Sequence, residues 1–372
     1  MAASLDVQMM TRAVQLARRG IYLSRPNPSI GCVLARDGNI IGEGFTQAYG
    51  GNHAEVEALN NTIKKGENTQ GATAYVTLEP CSHQGKTGPC ADALIAAGIS
   101  SCFIAMRDPN PEVGGRGIAK LEQAGVIVTE GLLANEARQI NAGFFQRMET
   151  GKPKVRIKLA SSLDGRTAMA SGESQWITGA AARADVQKWR ARSDAIITGV
   201  DTVIADDPAM TVRDESLDIQ QQPLRVIVDS KLRTPTDAKI LSQPGSTLIV
   251  HAGKPGTDPG LAPKGSVPGF IHLPNPDGRV DLAALIHLLA ERQCNDILVE
   301  CGSRLAGAFV AAGLADEIIL YQAPILMGSE GRPLLDLPLQ KMAQKKQLQI
   351  VESRQFGDDI RLILQINKEI QG

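Results

Sequence analysis

The chain has 372 residues, of which 43% are hydrophobic and 21% charged, and this ordinary globular composition predicts two folded cores rather than one. Lysine and arginine total 39 against 40 acidic residues, so the near-neutral charge argues against a nucleic-acid or anionic-membrane partner and favours a small one. The first residues lack the apolar core of a secretory signal and no apolar run reaches membrane-spanning length, so we expect a cytoplasmic protein whose six cysteines are thiols or metal ligands.

The first half of the chain alternates helical and strand-like patterns, which is typical of an α/β domain. Asp37 and Gly38 tolerate positive φ angles and suit a hairpin turn between two of the strands. In chain order, we predict a helix at 6–19, strands at 31–35 and 40–45, a helix capped by Asn52, a strand at 72–78, a helix opened by Pro89 and a strand at 102–106.

A short polar segment at 149–153 contains both helix breakers, Gly151 and Pro153, and predicts a linker between domains 1–148 and 152–372. A second α/β alternation begins beyond it, and the Gly- and Pro-rich stretch 251–277 is expected to be a surface loop. The predicted elements are strands at 155–160, 195–199, 225–229, 247–250, 296–300 and 317–322, with helices at 180–192, 280–292 and 302–313.

One group of residues carries the chemistry of a hydrolytic metal site. His53, Cys81 and Cys90 offer an imidazole and two thiolates, which leave the fourth position of a tetrahedral Zn²⁺ open for a water of lowered pKa. Glu55 stands two residues after the histidine and can carry a proton from that water to a leaving amine. If His53 and Cys90 lie in the first turns of two helices, both helix dipoles favour thiolate and hydroxide at the site.

Simpler interpretations of the same residues remain open. Each of His53, Cys81 and Cys90, taken alone, is more often a packed side chain than a ligand, and only their combination favours a metal. A purely structural zinc site needs a fourth protein ligand, for which His83 is the nearest candidate in sequence. A non-catalytic zinc module joined to a binding domain is a further alternative, which the proton-carrying role of Glu55 would exclude.

The order His53-Ala54-Glu55, then Pro80-Cys81, then Cys90 is similar to the pattern of the cytidine deaminase-like superfamily, whose second half usually reads Pro-Cys-x-x-Cys. Here eight residues separate the two cysteines. This departure, together with further motifs along nearly the whole chain, resembles the bifunctional riboflavin-biosynthesis deaminase/reductase family. Those motifs stand at 26–31, 77–83, 158–166, 172–178 and 206–208.

The resemblance implies a cytidine deaminase-like three-layer αβα domain followed by a dihydrofolate reductase-like α/β domain. It implies zinc on His53, Cys81 and Cys90, with Glu55 as the catalytic proton shuttle. The substrate would be a ribosylamino-pyrimidinone 5′-phosphate that exchanges its exocyclic 2-amino group for oxygen and releases ammonia. Asn27 would line the base pocket, although the Pro26-Asn27-Pro28 segment is equally well a plain turn.

For the second domain, the resemblance implies that NADPH reduces the sugar to a ribityl chain by hydride transfer to C1. The implied assignments fall into two groups. Substrate-contacting residues are Lys158, Ser174, Arg190, Met210, Arg213 and Glu300, and two arginines among them suit a phosphate. Cofactor-contacting residues are Ala160, Trp176, Thr202, Asp206, Ser230 and the loop Gly302, Ser303, Arg304, Leu305, Ala306, Gly307 and Ala308.

The residues of the second domain also have simpler interpretations. The 302–308 loop lacks the G-x-G-x-x-G fingerprint, so Gly302 alone is more often just a turn glycine. Arg190 and Arg213 would usually be solvated surface charges, and Trp176 would usually be a core residue. A tryptophan in a polar loop nevertheless offers a flat face to a cofactor ring.

Two rival functions follow from the same patterns. A zinc nucleobase or tRNA deaminase with an accessory binding domain would use the same chemistry, but the neutral charge and the 3% aromatic content leave few phosphate contacts or stacking platforms. The second domain could instead be a degenerate regulatory domain, which Lys158, Asp206 and Glu300 in their matching contexts argue against. A homo-oligomer is expected from the resemblance alone.

Overall fold

The computed structural model describes residues 4–83, 88–110, 113–253 and 268–367, and the chain divides into two compact units, Met1–Gly151 and Lys152–Gly372. The division follows Gly151, which ends a helix with a left-handed φ of 71° that suits glycine. None of the helices in these described ranges combines the length and the apolar character that crossing a membrane requires.

The first unit contains one five-stranded sheet with helices on both faces. The sheet has the order β2-β1-β3-β4-β5, in which β3, β4 and β5 are parallel and β1 is antiparallel to both of its neighbours. Its elements are α1 (Leu5–Arg19), β1 (Gly31–Arg36), β2 (Asn39–Phe45), α2 (Ala54–Lys64), β3 (Thr73–Val76), α3 (Cys90–Ala96), β4 (Ser101–Ile104), α4 (Arg116–Gln123), β5 (Ile127–Glu130), α5 (Ala134–Ile140) and α6 (Ala142–Thr150).

Alternating side chains of the sheet build the two apolar layers of this unit. Leu34 and Val76 pack with α2, α3 and α4 on one face, whereas Val33 and Tyr75 pack with α1 on the other. Because a strand presents successive side chains to opposite faces, fully buried strands such as β1 must be apolar at nearly every position. The unit is therefore the expected three-layer αβα sandwich.

Two local predictions in this unit have different outcomes. Asp37 and Gly38 both have positive φ, 51° and 79°, and turn β1 into the antiparallel β2 as predicted. The predicted cap at Asn52 is wrong, because the residue before α2 is His53, and the Asn52 amide instead donates to Glu57 at 2.8 Å. This one-residue shift puts His53 itself at the amino-terminal end of the helix.

The second unit contains a nine-stranded sheet of order β11-β10-β9-β8-β12-β6-β13-β16-β15, parallel except along β16, and a small β14-β7 sheet. Its strands are β6 (Lys154–Ser162), β7 (Arg166–Ala168), β8 (Ala195–Gly199), β9 (Leu224–Val228), β10 (Thr247–His251), β11 (Gly269–His272), β12 (Asp296–Glu300), β13 (Glu317–Ala323), β14 (Arg332–Pro333), β15 (Leu348–Phe356) and β16 (Asp359–Ile366). Its helices are α7 (Ala180–Arg192), α8 (Val200–Asp206), α9 (Lys239–Ser242), α10 (Leu282–Glu291) and α11 (Ser303–Ala311), with 3₁₀ turns at Glu215–Leu217 and Met342–Gln344.

Helices cover both faces of the nine-stranded sheet. Ile157 and Val299 pack with α10 and α11 on one face, and Leu298 and Ile319 pack with α7 on the other. The stretch 251–277 is not entirely loop as predicted, because it contains β11, while residues 254–267 of the stretch lie outside the described part. The sheet thus has the parallel centre whose strand ends usually carry the ligand sites of an α/β domain.

A buried ion-pair cluster stabilises the amino-terminal ends of β6, β12 and β13. Arg156 is only 4% exposed and donates to Asp296 and, at 2.8 Å, to Glu317, which Lys154 also approaches at 2.6 Å. Burial alone would raise the pKa of Glu317, but the two cations outweigh it and lower that pKa to about 2.

Replacing Glu317 by glutamine is expected to destabilise the second unit at pH 7 by about 3 kcal/mol, because Arg156 loses one of its charged partners. A carboxyl whose pKa is lowered on folding stabilises the fold at every pH above its ordinary pKa of 4.5. That contribution disappears as the pH falls toward the lowered pKa of about 2. Denaturant unfolding at pH 7 and pH 3 should therefore show a smaller gap between variant and wild type at the lower pH. The control is Glu291→Gln, which removes an exposed pair with His287 and should leave the free energy of unfolding unchanged at both pH values. If Glu317→Gln destabilised the protein equally at pH 7 and pH 3, the lowered pKa of Glu317 would be contradicted.

Candidate functional site

Three predicted metal ligands meet in the first unit. His53 directly precedes α2, Cys90 is the first residue of α3, and Cys81 lies in the segment that follows β3. His53 Nδ1 is 3.2 Å from Cys90 Sγ and 3.6 Å from Cys81 Sγ, and the three ligand atoms all lie within 4.8 Å of one another. The sequence separates these residues by up to 37 positions, and the helix starts bring them together.

The cluster fits a zinc ion. Tetrahedral zinc with ordinary Zn–N and Zn–S bonds places its nitrogen and sulfur ligands about 3.5 Å apart, close to the observed separations. The Cys90 backbone N–H donates to Cys81 Sγ at 3.3 Å, and hydrogen bonds from Cys90 and His53 overcome burial to lower the pKa of Cys81 to about 4. A thiolate is the form that binds the metal.

Glu55 lies in the first turn of α2, beside this cluster. Its side chain is 1% exposed, and its Oε2 atom has no hydrogen-bond partner among the described residues. Burial, assisted by the charge of Cys81, raises the pKa of Glu55 to about 7. A buried carboxyl with one unpartnered oxygen and a pKa near neutrality is suited to accept and return a proton.

The alternative of a purely structural zinc site finds no fourth ligand in the described residues. The metal-ligand group there consists of His53, Cys81 and Cys90, and the suggested His83 is exposed and does not belong to it. An open fourth position is the arrangement that catalytic zinc sites use.

Asn27 is the remaining predicted residue of the first unit. It lies in a turn, where its N–H donates to the Ser24 carbonyl at 2.9 Å. This geometry agrees with the plain-turn interpretation, and the described contacts do not join Asn27 to the metal cluster. Its place in the base pocket stays a prediction.

The predicted residues of the second unit gather at one edge of its sheet. β9, β8, β12 and β6 are neighbouring parallel strands, so their carboxyl-terminal ends lie along the same edge. The residues carried there are Lys158 and Ala160 in β6, Thr202 and Asp206 in α8 after β8, Ser230 after β9, Glu300 at the end of β12, and Gly302 to Ala308 at the start of α11.

A buried charge cluster forms the centre of this edge. Arg190 of α7 donates to both oxygens of Glu300, at 2.6 and 2.9 Å, and to the Thr211 carbonyl at 3.0 Å. Lys158 is the register partner of Glu300 on β6, and burial lowers its pKa although Glu300 opposes this shift. Arg190 is thus no solvated surface charge, because its side chain is 11% exposed.

The other substrate-contacting predictions surround this cluster. Met210 is buried, and its sulfur lies 3.8 Å from Arg190 Nη2. Ser174 donates to Asp206 at 3.3 Å. Arg213 is exposed, as its simpler interpretation predicts, but its charge still contributes to the lowered pKa of Glu300. An exposed arginine close to a buried carboxylate is well placed to meet an anionic substrate group.

Trp176 and the 302–308 loop, which are both predicted to contact the cofactor, differ in how accessible their residues are to a ligand. Trp176 is 70% exposed, so its interpretation as a core residue is wrong, and the Arg183 guanidinium lies 4.6 Å from the ring centroid. Gly302 has open space where a side chain would be, next to the amino-terminal end of α11. Gly307 is buried, and a Cβ there would lie 2.1 Å from the Asp336 carbonyl oxygen. Glycine at this position therefore lets α11 pack closely against the Asp336 backbone.

Two protein families match this chain. The family described as "Cytidine and deoxycytidylate deaminase zinc-binding region" matches residues 3–106, and "RibD C-terminal domain" matches residues 153–362. The Escherichia coli riboflavin biosynthesis protein RibD is 48% identical over 370 residues, covering 96% of this chain and 99% of that protein. The chain belongs to the RibD family.

Solved structures are similar to the chain over nearly its full length. Form 1 of Acinetobacter baumannii RibD has a TM-score of 0.89 at 43% identity and covers 98% of this chain and 99% of its own. A diaminohydroxyphosphoribosylaminopyrimidine deaminase/5-amino-6-(5-phosphoribosylamino)uracil reductase from Thermotoga maritima has a TM-score of 0.87 at 30% identity, with coverages of 98% and 99%. The predicted family and fold class are confirmed.

The chain is accordingly a bifunctional riboflavin-biosynthesis enzyme with a zinc-binding deaminase domain and a reductase domain, and its cofactors are zinc and NADPH. The rival interpretation as a nucleobase or tRNA deaminase is not favoured, because a reductase family accounts for the second unit. The interpretation of the second unit as a degenerate regulatory domain is likewise not favoured, because the same family match accounts for this unit.

Sequence reasoning misses two residues beside the sites. Glu79 belongs to the 77–83 motif but receives no role from it, yet its buried carboxylate organises the backbone beside Cys81. Arg183, which stacks on Trp176, belongs to none of the motifs. Glu79 could have been noticed, because it is an acidic residue two positions before a predicted metal ligand. The separation of Arg183 from Trp176 in the sequence does not predict their contact.

Proposed function

We propose that the first unit deaminates 2,5-diamino-6-(5-phosphoribosylamino)pyrimidin-4(3H)-one and that the second unit reduces the ribosyl group of the product to a ribityl chain with NADPH. The observation that carries the proposal is the His53, Cys81 and Cys90 cluster with the buried Glu55 beside it. The Thermotoga maritima relative, whose name joins a deaminase and a reductase on one chain, supports the pairing of the two activities.

In the deaminase, His53, Cys81 and Cys90 hold the zinc, which when bound supplies an activated water for attack at C2 of the pyrimidinone ring. Glu55 takes one proton from the attacking water and delivers it to the ring nitrogen, and it then takes the second proton from the new C2 hydroxyl and delivers it to the departing amino group. Its unpartnered Oε2 and its pKa near 7 support this role. Ammonia leaves and the oxygen of water remains on C2. Asn27 is assigned to the base pocket in this proposal.

In the reductase, NADPH when bound supplies a hydride for C1 of the opened sugar. Glu300 is oriented by Arg190 and accepts hydrogen bonds from sugar hydroxyls, while Lys158 lies beside it. The lowered pKa of Lys158 makes its ammonium a readier donor of the proton that the sugar-bound nitrogen needs after hydride addition. The buried Met210 contacts Arg190 through its sulfur, at 3.8 Å from Nη2.

The remaining assignments concern phosphate and cofactor. Arg213 and Ser174 meet the substrate phosphate, because Arg213 is exposed and charged whereas the donors of Arg190 already serve Glu300 and Thr211. The exposed face of Trp176 packs on NADPH, and the start of α11 at Gly302 takes its phosphates. The full cofactor set is Ala160, Trp176, Thr202, Asp206, Ser230, Gly302, Ser303, Arg304, Leu305, Ala306, Gly307 and Ala308.

Domain limits, assembly and location complete the proposal. Domains 1–148 and 152–372 agree with a division of the chain at Gly151. A homo-oligomer is proposed from family membership. A cytoplasmic location is supported by the six cysteines, none of which is in a disulfide bond.

A coupled assay tests both activities. The diamino-pyrimidinone substrate is mixed with the zinc-loaded protein and NADPH, and ammonia and the ultraviolet absorbance of NADPH are followed together. We expect one ammonia and one oxidised NADPH per substrate, with ammonia appearing first. NADPH oxidation without ammonia release, or ammonia release without any NADPH oxidation, would contradict the proposal.

A further inference from the structure

Glu79 ties four backbone N–H groups to the segment that carries Cys81. The residue is 4% exposed and stands in the sequence between the end of β3 and Cys81. Oε1 accepts from Gly117 at 2.9 Å and Ile118 at 3.2 Å, and Oε2 accepts from Gly115 at 2.9 Å and Asp108 at 3.1 Å. An ionised carboxylate has acceptor capacity for four donors, and here all four are in use.

This carboxylate takes the place of a cap for α4. The residue that precedes α4 is Gly115, with a φ of 83° and no side chain to accept from the first turn. Glu79 supplies that acceptor from a distant part of the chain. The Glu79 N–H also donates to the Met106 carbonyl at 2.9 Å, so the residue is fixed at both its backbone and its side chain.

The peptide that joins Pro80 to Cys81 also contacts α4. The Pro80 carbonyl lies against α4 at Gly117, where a Cβ would come within 2.0 Å of its oxygen. On its other side, Cys81 is held by α3, because Cys90 N–H donates to its sulfur and Ala91 N–H donates to its carbonyl at 3.1 Å. Cys81 is therefore held between α3 and the Glu79–α4 contact.

We propose that Glu79 is a positioning residue of the zinc centre, which fixes the Cys81 thiolate against His53 and Cys90 by tying its peptide to α4. The proposal depends on the proposed function only in taking Cys81 as a zinc ligand. Groups that orient metal ligands without touching the metal typically change metal affinity by about 10- to 100-fold when they are replaced.

The direct test is Glu79→Gln. Glutamine has the same shape, but its NH₂ group would face two of the four N–H donors, so two of these hydrogen bonds are lost and the Cys81 segment is released. We expect zinc to pass to a chromogenic chelator about 10- to 100-fold faster than from wild type. NADPH oxidation with added deaminated substrate should stay at the wild-type rate.

Leu121→Ala separates positioning from general stability. Leu121 lies on α4, the helix that Glu79 contacts, and it is fully buried in the core. It is not one of the four donors to the Glu79 carboxylate, so its truncation destabilises the first unit without changing that carboxylate. The variants are compared at one temperature at which unfolding curves show both to be fully folded. Zinc release from Glu79→Gln should be faster than from Leu121→Ala, and equal rates would overturn the proposal.

Gly117→Ala tests the same contact from the side of α4 and decides the question if Glu79→Gln does not fold. Its methyl group must displace the Pro80 carbonyl while the glutamate remains. We expect faster zinc release here too, and a folded variant that keeps zinc as long as wild type would overturn the proposal. A wild-type protein that binds no zinc through Cys81 would instead refute the proposed deaminase function.

Discussion

Glu55→Gln is expected to retain zinc and to release ammonia about 10²- to 10⁴-fold more slowly than wild type, because the amide cannot accept and return a proton. The described metal-ligand group consists of His53, Cys81 and Cys90 and does not include Glu55, so the metal content should not change. The measurement is kcat for ammonia release together with zinc per chain. Reduction of added deaminated substrate by NADPH should be unaffected.

The matched control is Glu57→Gln on the same helix. Glu57 accepts from the Asn52 side chain and is not a member of the metal cluster, so this variant should deaminate at the wild-type rate. Normal ammonia release from Glu55→Gln would show that another group moves the proton. Loss of zinc from that variant would show that Glu55 helps to bind the metal.

Glu300→Gln is expected to weaken the reductase in two measurable ways. Arg190 and Lys158 lose the buried carboxylate between them, and removing one partner of such a pair costs about 3–5 kcal/mol of stability. If Glu300 accepts from the sugar hydroxyls as proposed, these lose a charge-assisted acceptor worth about 1.5–3 kcal/mol, so kcat/KM for NADPH-linked reduction should fall roughly 10- to 150-fold.

Ammonia release by the first unit should remain normal in Glu300→Gln, and it serves as an internal control for intact protein. Glu352→Gln is the matched external control, since this half-exposed carboxylate also pairs with an arginine, Arg361, but lies on the edge strand β15. Its effect on stability should stay below about 1 kcal/mol. Reduction kinetics that are unchanged in Glu300→Gln would remove Glu300 from the substrate site.

Periodicity predicts the central strands and long helices well, and it fails where a strand is exposed on both faces. β12, α7 and β8 appear at their predicted bounds because their apolar side chains face defined layers. β15 exposes seven consecutive residues, so no alternation announces it. Its pairing with β16 supplies the strand with backbone hydrogen bonds that the side-chain pattern does not record.

The metal cluster was predictable because few residue types bind zinc, so one histidine and two cysteines already limit the chemistry. The contacts of ordinary charged residues carry no such signal. Arg190 and Glu300 meet across 110 positions, and the Glu79 carboxylate meets the Gly117 N–H across 38. In the sequence Arg190, Glu300 and Glu79 have the ordinary properties of surface charges, and only the fold brings them to their partners.

Removal and return of zinc in a single preparation test most directly whether the His53, Cys81 and Cys90 cluster drives deamination. Ammonia release should vanish when a chelator strips the protein and should recover in proportion to zinc added back, up to one ion per chain. Reduction of the deaminated substrate by NADPH should stay constant throughout. Metal-free protein that releases ammonia at the normal rate would contradict a zinc-dependent deaminase.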